Sequence, residues 1–299
     1  MKNKGVFLTG GVYVLWGLMP IYWKQLGDVP ALQILGHRIV WALVFTCILL
    51  TIRQDWGWLR PALRSRKTVL IFLASTIFLS INWLTYILAV NTNHVIEASL
   101  GNFIMPLLTV ALGVLTFRER LRGMQWLAIA IAAAGIGYLA VVYGQFPWLG
   151  LMLAASFALY GALRKQAPLP SLQGLTLETM FAAPVALIYL VTVQSTGAGA
   201  FIRDDAVIAA LLIGAGVITG ITLIMFVAGV RLIPLITIGI LQFIQPSIQF
   251  GLGTLIYHEP FNLQRLIGFA LVWIALIIFT VENIITRRRV MQGTQAEPA

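Results

Sequence analysis

The sequence predicts an all-α integral membrane protein of about ten transmembrane helices, arranged as two inverted five-helix repeats with both termini cytoplasmic. Three observations predict it: an apolar composition, basic residues confined to alternate loops, and a self-similarity at a fixed shift. Of 299 residues, 60% are hydrophobic and only 10% charged, and the mean hydropathy is +0.92. A soluble domain so composed would expose apolar patches far larger than water tolerates, so its solvent is lipid. Cys47, the one cysteine, lies in an apolar run. That excludes a disulfide framework and a thiolate metal site, and no metal or other cofactor is expected.

Runs of about 20 residues with few charges are long enough to cross roughly 30 Å of hydrocarbon. Ten occur, at 5–23, 33–52, 68–90, 96–117, 124–142, 147–163, 174–194, 206–230, 235–257 and 263–283. The first follows Lys2-Asn3-Lys4 and resembles a signal peptide, but no small-residue cleavage site comes after it. It reads as an uncleaved first span.

Ten spans put the loops on alternate sides, and the 20 basic residues test that alternation. The side holding both termini carries sixteen: Lys2, Lys4, Arg53, Arg60, Arg64, Arg66, Lys67, Arg118, Arg120, Arg122, Arg164, Lys165, Arg231 and Arg287 to Arg289. The other side carries Lys24, Arg203 and Arg265, while Arg38 lies inside the second span. By the positive-inside rule both termini face the cytoplasm of an inner-membrane protein. The net charge of +10 is therefore a topology signal for the lipid bilayer, and no nucleic-acid partner is implied.

Pro106 and Pro246 lie 140 residues apart, and the same shift pairs Phe103-Ile104 with Phe243-Ile244, Leu112-Gly113 with Leu252-Gly253, and Glu119 with Glu259. Upstream, Pro30, Leu32, Gln33 and Leu35 recur as Pro170, Leu172, Gln173 and Leu175. The repeats are placed at 1–143 and 144–286, followed by a basic, disordered tail at 287–299. Five spans is an odd number, so the second repeat enters the bilayer from the opposite side. This is the arrangement of secondary transporters, with a site near the midplane exposed alternately to each face. Pro106 and Pro246 fall in mid-span, where each removes a backbone hydrogen bond; they kink or gate the substrate path, or shape packing only.

Ionisable groups inside a span are costly and therefore informative. Arg38 lies about two turns into its span from the external side, and Glu97 opens the fourth span on that side. The two form a structural ion pair, or together hold a zwitterionic substrate, or Arg38 snorkels to the interface. His37, on another face, is a packing residue or a proton relay, so protons are a possible second partner. Glu178, the counterpart of Arg38 at the 140 shift, lies toward the cytoplasmic end of the seventh span, as a gate or as a carboxylate favoured by the helix dipole. Glu119 and Glu259 close the fourth and ninth spans as loop caps or as partners of nearby arginines.

Among uncharged groups, Asn82 and Tyr86 share a face of the third span and Asn102 shares one with Pro106. Gln242, Gln245 and Gln249 line the ninth. Buried amides need partners, which can be one another, water or substrate. Trp16 and Tyr160 lie too deep for interfacial anchoring and line a cavity or pack the core. Trp56, Trp58 and Trp148 read as belt residues, and Gly216 with Gly220 as a close helix contact.

Longer stretches stand out: Leu35-Gly36-His37-Arg38-Ile39-Val40-Trp41, Asn82-Trp83, Tyr86 to Asn91, Glu97 to Gly101, Pro106, Glu119-Arg120-Leu121, Tyr160-Gly161, Arg164-Lys165, Gly174 to Thr179, Gln242-Phe243, Pro246 and Glu259-Pro260-Phe261. Together they resemble a RarD-type member of the EamA family, in the drug/metabolite transporter superfamily. The resemblance spans nearly the whole chain. It implies ten helices in two repeats, export as the direction, and a central cavity lined by the first, third, fourth, sixth, eighth and ninth. Gln33, Gly36, Asn102 and Met105 depart from the family pattern, which has Glu, Ala, Tyr and Asn there.

These readings converge on a secondary transporter of a small organic metabolite or drug-like molecule, acting as a monomer or homodimer. No Walker A sequence is present, so ATP does not drive it within this chain. Two other classes compete. A membrane enzyme on a lipid-borne substrate needs ionisable groups clustered at one depth, whereas those here are scattered; a non-transporting sensor or scaffold would bind without flux.

Overall fold

A computed structural model describes residues 2–91, 95–143, 148–201, 206–256 and 263–295, and all regular structure among them is helical. In order these are α1 (Lys2–Lys24), α2 (Ala31–Ile52), α3 (Leu59–Arg64), α4 (Arg66–Asn91), α5 (Val95–Phe117), α6 (Gly123–Tyr143), α7 (Trp148–Gln166), α8 (Ser171–Ser195), α9 (Ala206–Val230), α10 (Leu235–Gln242), α11 (Ile244–Gly251), a π-helical turn at Leu252–Ile256, and α12 (Leu263–Gln295). Among the described residues every apolar run falls on helix, the ninth with a break at Phe243. Six helices among them are long and apolar enough to cross a membrane, namely α1, α2, α4, α6, α8 and α9. Shorter apolar stretches lie at Gly101–Phe117, Leu235–Gly251 and Leu266–Glu282. Phe7, Val141 and Val185 are at least 73% exposed, as expected where the outer surface faces lipid. Arg203 and Glu259 to Phe261 lie outside the described residues, as does the side chain of Glu97.

The ends of the helices follow from local chemistry. Pro30, Pro170 and Pro234 occupy the N-cap positions of α2, α8 and α10, where a fixed φ and extended ψ turn the chain sharply into its first turn. Gln54 (φ +51°) and Gly197 (φ +74°) are left-handed at the ends of α2 and α8. The next amides donate back, Asp55 N to Leu50 O at 3.0 Å and Ala198 N to Val193 O at 3.2 Å. Both helices thus stop in a Schellman turn.

Three differences from the sequence reading have physical causes. The ninth run is broken at Phe243 into α10 and α11, because Pro246 has no N–H to reach the Gln242 carbonyl, and Phe243 N bonds instead to Ile240 O at 3.2 Å. Its counterpart Pro106 sits within an uninterrupted α5. A short α3 fills the loop before α4. And α12 runs to Gln295, through the arginines expected to begin a disordered tail, since Arg is a good helix former.

Helices equivalent under the 140-residue shift pack side by side: α2 with α8, α5 with α10, and α6 with α12. Their contacts run in opposite directions along the chain. Gln33 at the start of α2 donates to Ala198 O just past α8 (3.0 Å) and accepts from Ala200 N (2.8 Å). Gln173 at the start of α8 donates to Asp55 Oδ2 just past α2 (2.8 Å). A Cβ on Gly239 of α10 would meet Pro106 and Val110 of α5, while Gly113, one turn further along α5, faces Leu235 at the start of α10. Arg122, before α6, bridges Glu282 near the end of the apolar part of α12 at 2.8 Å. Each pair is therefore antiparallel. The other contacts exchange in the same way: α5 with α7 matches α10 and α11 with α1, α2 with α9 matches α8 with α4, and α4 with α7 matches α9 with α1.

Small residues set the closest approaches. Side chains at Gly216 and Gly220 of α9 would run into Trp41 and Phe45 of α2, which confirms the expected glycine contact. A Cβ at Gly101 of α5 would sit 2.7 Å from the carbonyl oxygen of Gly150 in α7. Gly101→Ala is expected to lower stability by about 1–3 kcal/mol through overpacking, whereas Gly137→Ala, with nothing within 4 Å, should be neutral or stabilising by about 0.5–1 kcal/mol. Thermal unfolding of the detergent-purified variants measures both.

Candidate functional site

Polar and aromatic side chains inside the bundle form a connected line between two charged groups, Glu178 on α8 and Arg38 on α2. Glu178 is 1% exposed and Arg164, at the end of α7, 0%. Arg164 Nε lies 3.4 Å from Glu178 Oε1, Ser75 of α4 donates to the same oxygen at 2.5 Å, and Tyr160 of α7 donates to Oε2 at 3.4 Å. The guanidinium also donates to Ser171 O at 3.3 Å and lies 4.9 Å from the Phe72 ring centre. Gly174 makes room for it, since a Cβ there would collide with both Arg164 and Phe72. Glu178 stands about two turns inside α8, and a helix dipole acts within the first turn. The dipole therefore does not account for Glu178; its partner is Arg164.

From Tyr160 the line continues through packed rings. Tyr160 stacks on Phe226 of α9 with centroids 6.3 Å apart, and Phe226 meets Phe157 at 5.2 Å and Trp16 at 5.6 Å. Tyr13 joins edge-on to Trp16 at 5.7 Å. Such pairs hold ring positions as well as burying area. The cluster is drawn from α1, α7 and α9, which are the first, sixth and eighth apolar runs. Trp83 of α4 packs against it and leads to Arg38.

Arg38 is half-buried. Its Nε donates to Thr219 Oγ1 of α9 at 3.0 Å, and its guanidinium carbon lies 5.1 Å from the Trp23 ring centre and 5.0 Å from that of Trp83. Tyr86, 52% exposed, is within electrostatic reach. Among the described residues no carboxylate lies within 4.0 Å of Arg38. His37 is turned away and stacks on Phe201 at 4.9 Å, with Nδ1 buried and unpartnered among the described residues.

The other candidates divide into committed and open groups. Asn82 is committed: its amide donates to Leu153 O at 2.9 Å and lies 3.4 Å from Ser156 Oγ, tying α4 to α7. Gln242 is buried beside Tyr13, and its Oε1 has no hydrogen-bond partner among the described residues. Gln249 reaches the Trp16 carbonyl at 3.4 Å. Asn102 and Gln245 are half-buried, with no side-chain hydrogen bond among the described residues. Pro106 packs its carbonyl against Gly239, and Pro246 marks the helix break.

Glu119 is a cap, as one of its two sequence readings holds. Its carboxylate accepts the first amides of α10, Leu235 N at 2.8 Å and Ile236 N at 2.9 Å, where the dipole favours negative charge. Its cation is Lys165, at 3.8 Å, which itself donates to Ile233 O beyond the end of α9 at 2.5 Å. Sequence reasoning had counted Arg164 and Lys165 together as loop charges; only the packing of α7 against α4 and α9 separates their roles. Thr219 and Ser75 carried no signal beyond being hydroxyls on apolar helices.

An all-helical, multi-pass membrane protein is the class that this architecture defines. The profile of the EamA-like transporter family matches residues 3–141. The chain is 44% identical to the uncharacterized transporter YojE of Bacillus subtilis over 293 residues, covering 96% of each. It is 41% identical to protein RarD of Streptomyces exfoliatus, covering 96% of this chain and 91% of that one, and 36% identical to protein RarD of Escherichia coli K12, covering 96% and 97%. The chain belongs to the EamA family, among its RarD-type members. A solved crystal structure 15% identical superposes with a TM-score of 0.70 over 94% of this chain and 98% of the other, which shows a common fold.

Removing one partner of a buried ion pair leaves an uncompensated charge. Glu178→Gln is therefore expected to destabilise the protein by about 3–5 kcal/mol, and the double variant Arg164→Met with Glu178→Met to recover most of that loss. Thermal unfolding in detergent tests the pair.

Proposed function

We propose that this protein is a secondary transporter that moves a small organic metabolite or drug-like compound outward across the inner membrane. It works by alternating access between two inverted five-helix repeats, residues 1–143 and 144–286, which together cross the bilayer ten times with both termini cytoplasmic. The observation that carries the reading is the antiparallel packing of three pairs of helices equivalent under the 140-residue shift, joined to a polar and aromatic line that runs between them. Such an interface has two nearly equivalent ends, and a site between them can open to one face or the other at small energetic difference.

Inter-helix contacts near the loops support the topology. Asp55 with Gln173, Glu119 with Lys165, and Arg122 with Glu282 gather loops from the basic-rich side, while Gln33 with Ala198 and Ala200 gathers loops from the other. The sorting agrees with ten crossings and a cytoplasmic basic face. On this reading the buried group of Arg164, Glu178, Ser75 and Tyr160 lies toward the cytoplasmic end, and the half-buried Arg38 toward the external one. Membership of a transporter family and relatives named as transporters support flux as the activity; the direction rests on the resemblance.

Counterflow in proteoliposomes tests the proposal. Vesicles loaded with one member of a metabolite panel should take up the same labelled compound faster than protein-free vesicles. Binding of a compound without any flux across the panel would contradict transport. A pH gradient imposed on the same vesicles accelerates proton-coupled movement and leaves uncoupled exchange unchanged.

A further inference from the structure

Two arginines of this bundle, the buried Arg164 and the half-buried Arg38, are treated differently. Arg164 is enclosed and given a carboxylate, Glu178, at 3.4 Å. Arg38 keeps one face open: of its five guanidinium N–H groups, only that on Nε has a hydrogen-bond partner among the described residues, Thr219 at 3.0 Å. None of its nitrogens is sealed without a partner, so the terminal N–H groups are reachable. A guanidinium within a membrane-spanning helix is costly unless hydrated, paired or coordinated, and Thr219 together with two indoles only partly offsets that cost.

The free donors form the planar fork that matches a carboxylate bidentately. The walls beside the fork are flat and apolar, Trp23 at 5.1 Å and Trp83 at 5.0 Å, and Tyr86 stands one turn along α4 from Trp83. Trp83 in turn packs against the hydrophobic cluster that includes Phe157 and Phe226. An anion held at Arg38 would carry its body along rings, and planar aromatic bodies fit rings by offset stacking. Thr219 holds the guanidinium from α9 while Arg38 stands on α2, so the fork is aimed by helices from both halves of the chain.

We propose that Arg38, flanked by Trp23, Trp83 and Tyr86 and oriented by Thr219, is the recognition site for a monoanionic substrate with a planar apolar body, an aromatic carboxylate. Only the role of the bound anion as cargo rests on the transporter reading; recognition by Arg38 does not.

Isothermal titration of the detergent-purified full chain with benzoate and phenylacetate, against benzamide, phenylacetamide and acetate, tests this directly. The aromatic acids should bind about tenfold or more tighter than their amides and than acetate, as one charge-assisted contact is worth at least that. Arg38→Gln should abolish the acid-over-amide preference, and Trp83→Leu should weaken both aromatic acids while sparing the preference. The wild-type ratio is read without any variant, so a misfolded Arg38→Gln does not protect the proposal. Equal binding of acid and amide, no binding of any aromatic acid, or a preference that survives Arg38→Gln overturns it. Counterflow of the same compounds separates the two readings. Arg38-dependent acid binding without flux keeps this site and removes the transporter; flux of other compounds without acid preference does the reverse.

Discussion

Two glutamines in equivalent positions tie α2 and α8 into an antiparallel pair, and the remaining architecture is arranged about that pair. Each is the third residue of its helix after an N-capping proline, and each reaches the closing turn of the other helix: Gln33 to Ala198 and Ala200, Gln173 to Asp55. Antiparallel packing of equivalent helices follows when they stand an odd number of membrane spans apart in chain order, here five, and it then applies to α5 with α10 and α6 with α12 as well. The consequence is an interface with two similar ends. At one end the equivalent position carries Arg38, at the other Glu178. Each binds a hydroxyl on the corresponding neighbour, Thr219 of α9 or Ser75 of α4.

Beyond these hydroxyls the similarity stops. Glu178 is matched by Arg164, and Gly174 leaves space for the guanidinium, so the charges compensate one another out of contact with water. Arg38 faces indole rings, and among the described residues only its Nε has a hydrogen-bond partner. Between them lie the packed aromatic rings of α1, α7 and α9. Glu119 and Lys165 stabilise the surrounding frame by satisfying the orphan groups at the start of α10 and the end of α9.

The all-helical, membrane-spanning character was legible because lipid imposes a simple rule of apolar length. The run 206–230 coincides with α9 residue for residue. Local exceptions were less legible. Pro106 and Pro246 are the same residue at the same repeat position, yet only the second lies beside a break in its helix. In the site, Arg38, Trp16, Tyr160 and Glu178 were found because charged or bulky polar groups in apolar runs are conspicuous. Arg164 was missed as a site residue because, one turn from the end of α7, it resembles any topology-setting arginine. Thr219 and Ser75 were missed because a hydroxyl on an apolar helix carries no mark of the partner it will meet across the bundle. Asn82 looked like cavity lining, but tertiary packing gives its amide to the Leu153 carbonyl.

Alternating access requires the cytoplasmic end of the α2 and α8 pair to separate during each cycle. A Cys47→Ser background carrying Asp55→Cys and Gln173→Cys, joined by a short bifunctional reagent in proteoliposomes, fixes that end closed. Counterflow should cease on cross-linking and return when a reducible linker is cleaved. Undiminished counterflow in fully cross-linked protein would contradict the account, because substrate would then be crossing without the two halves moving apart.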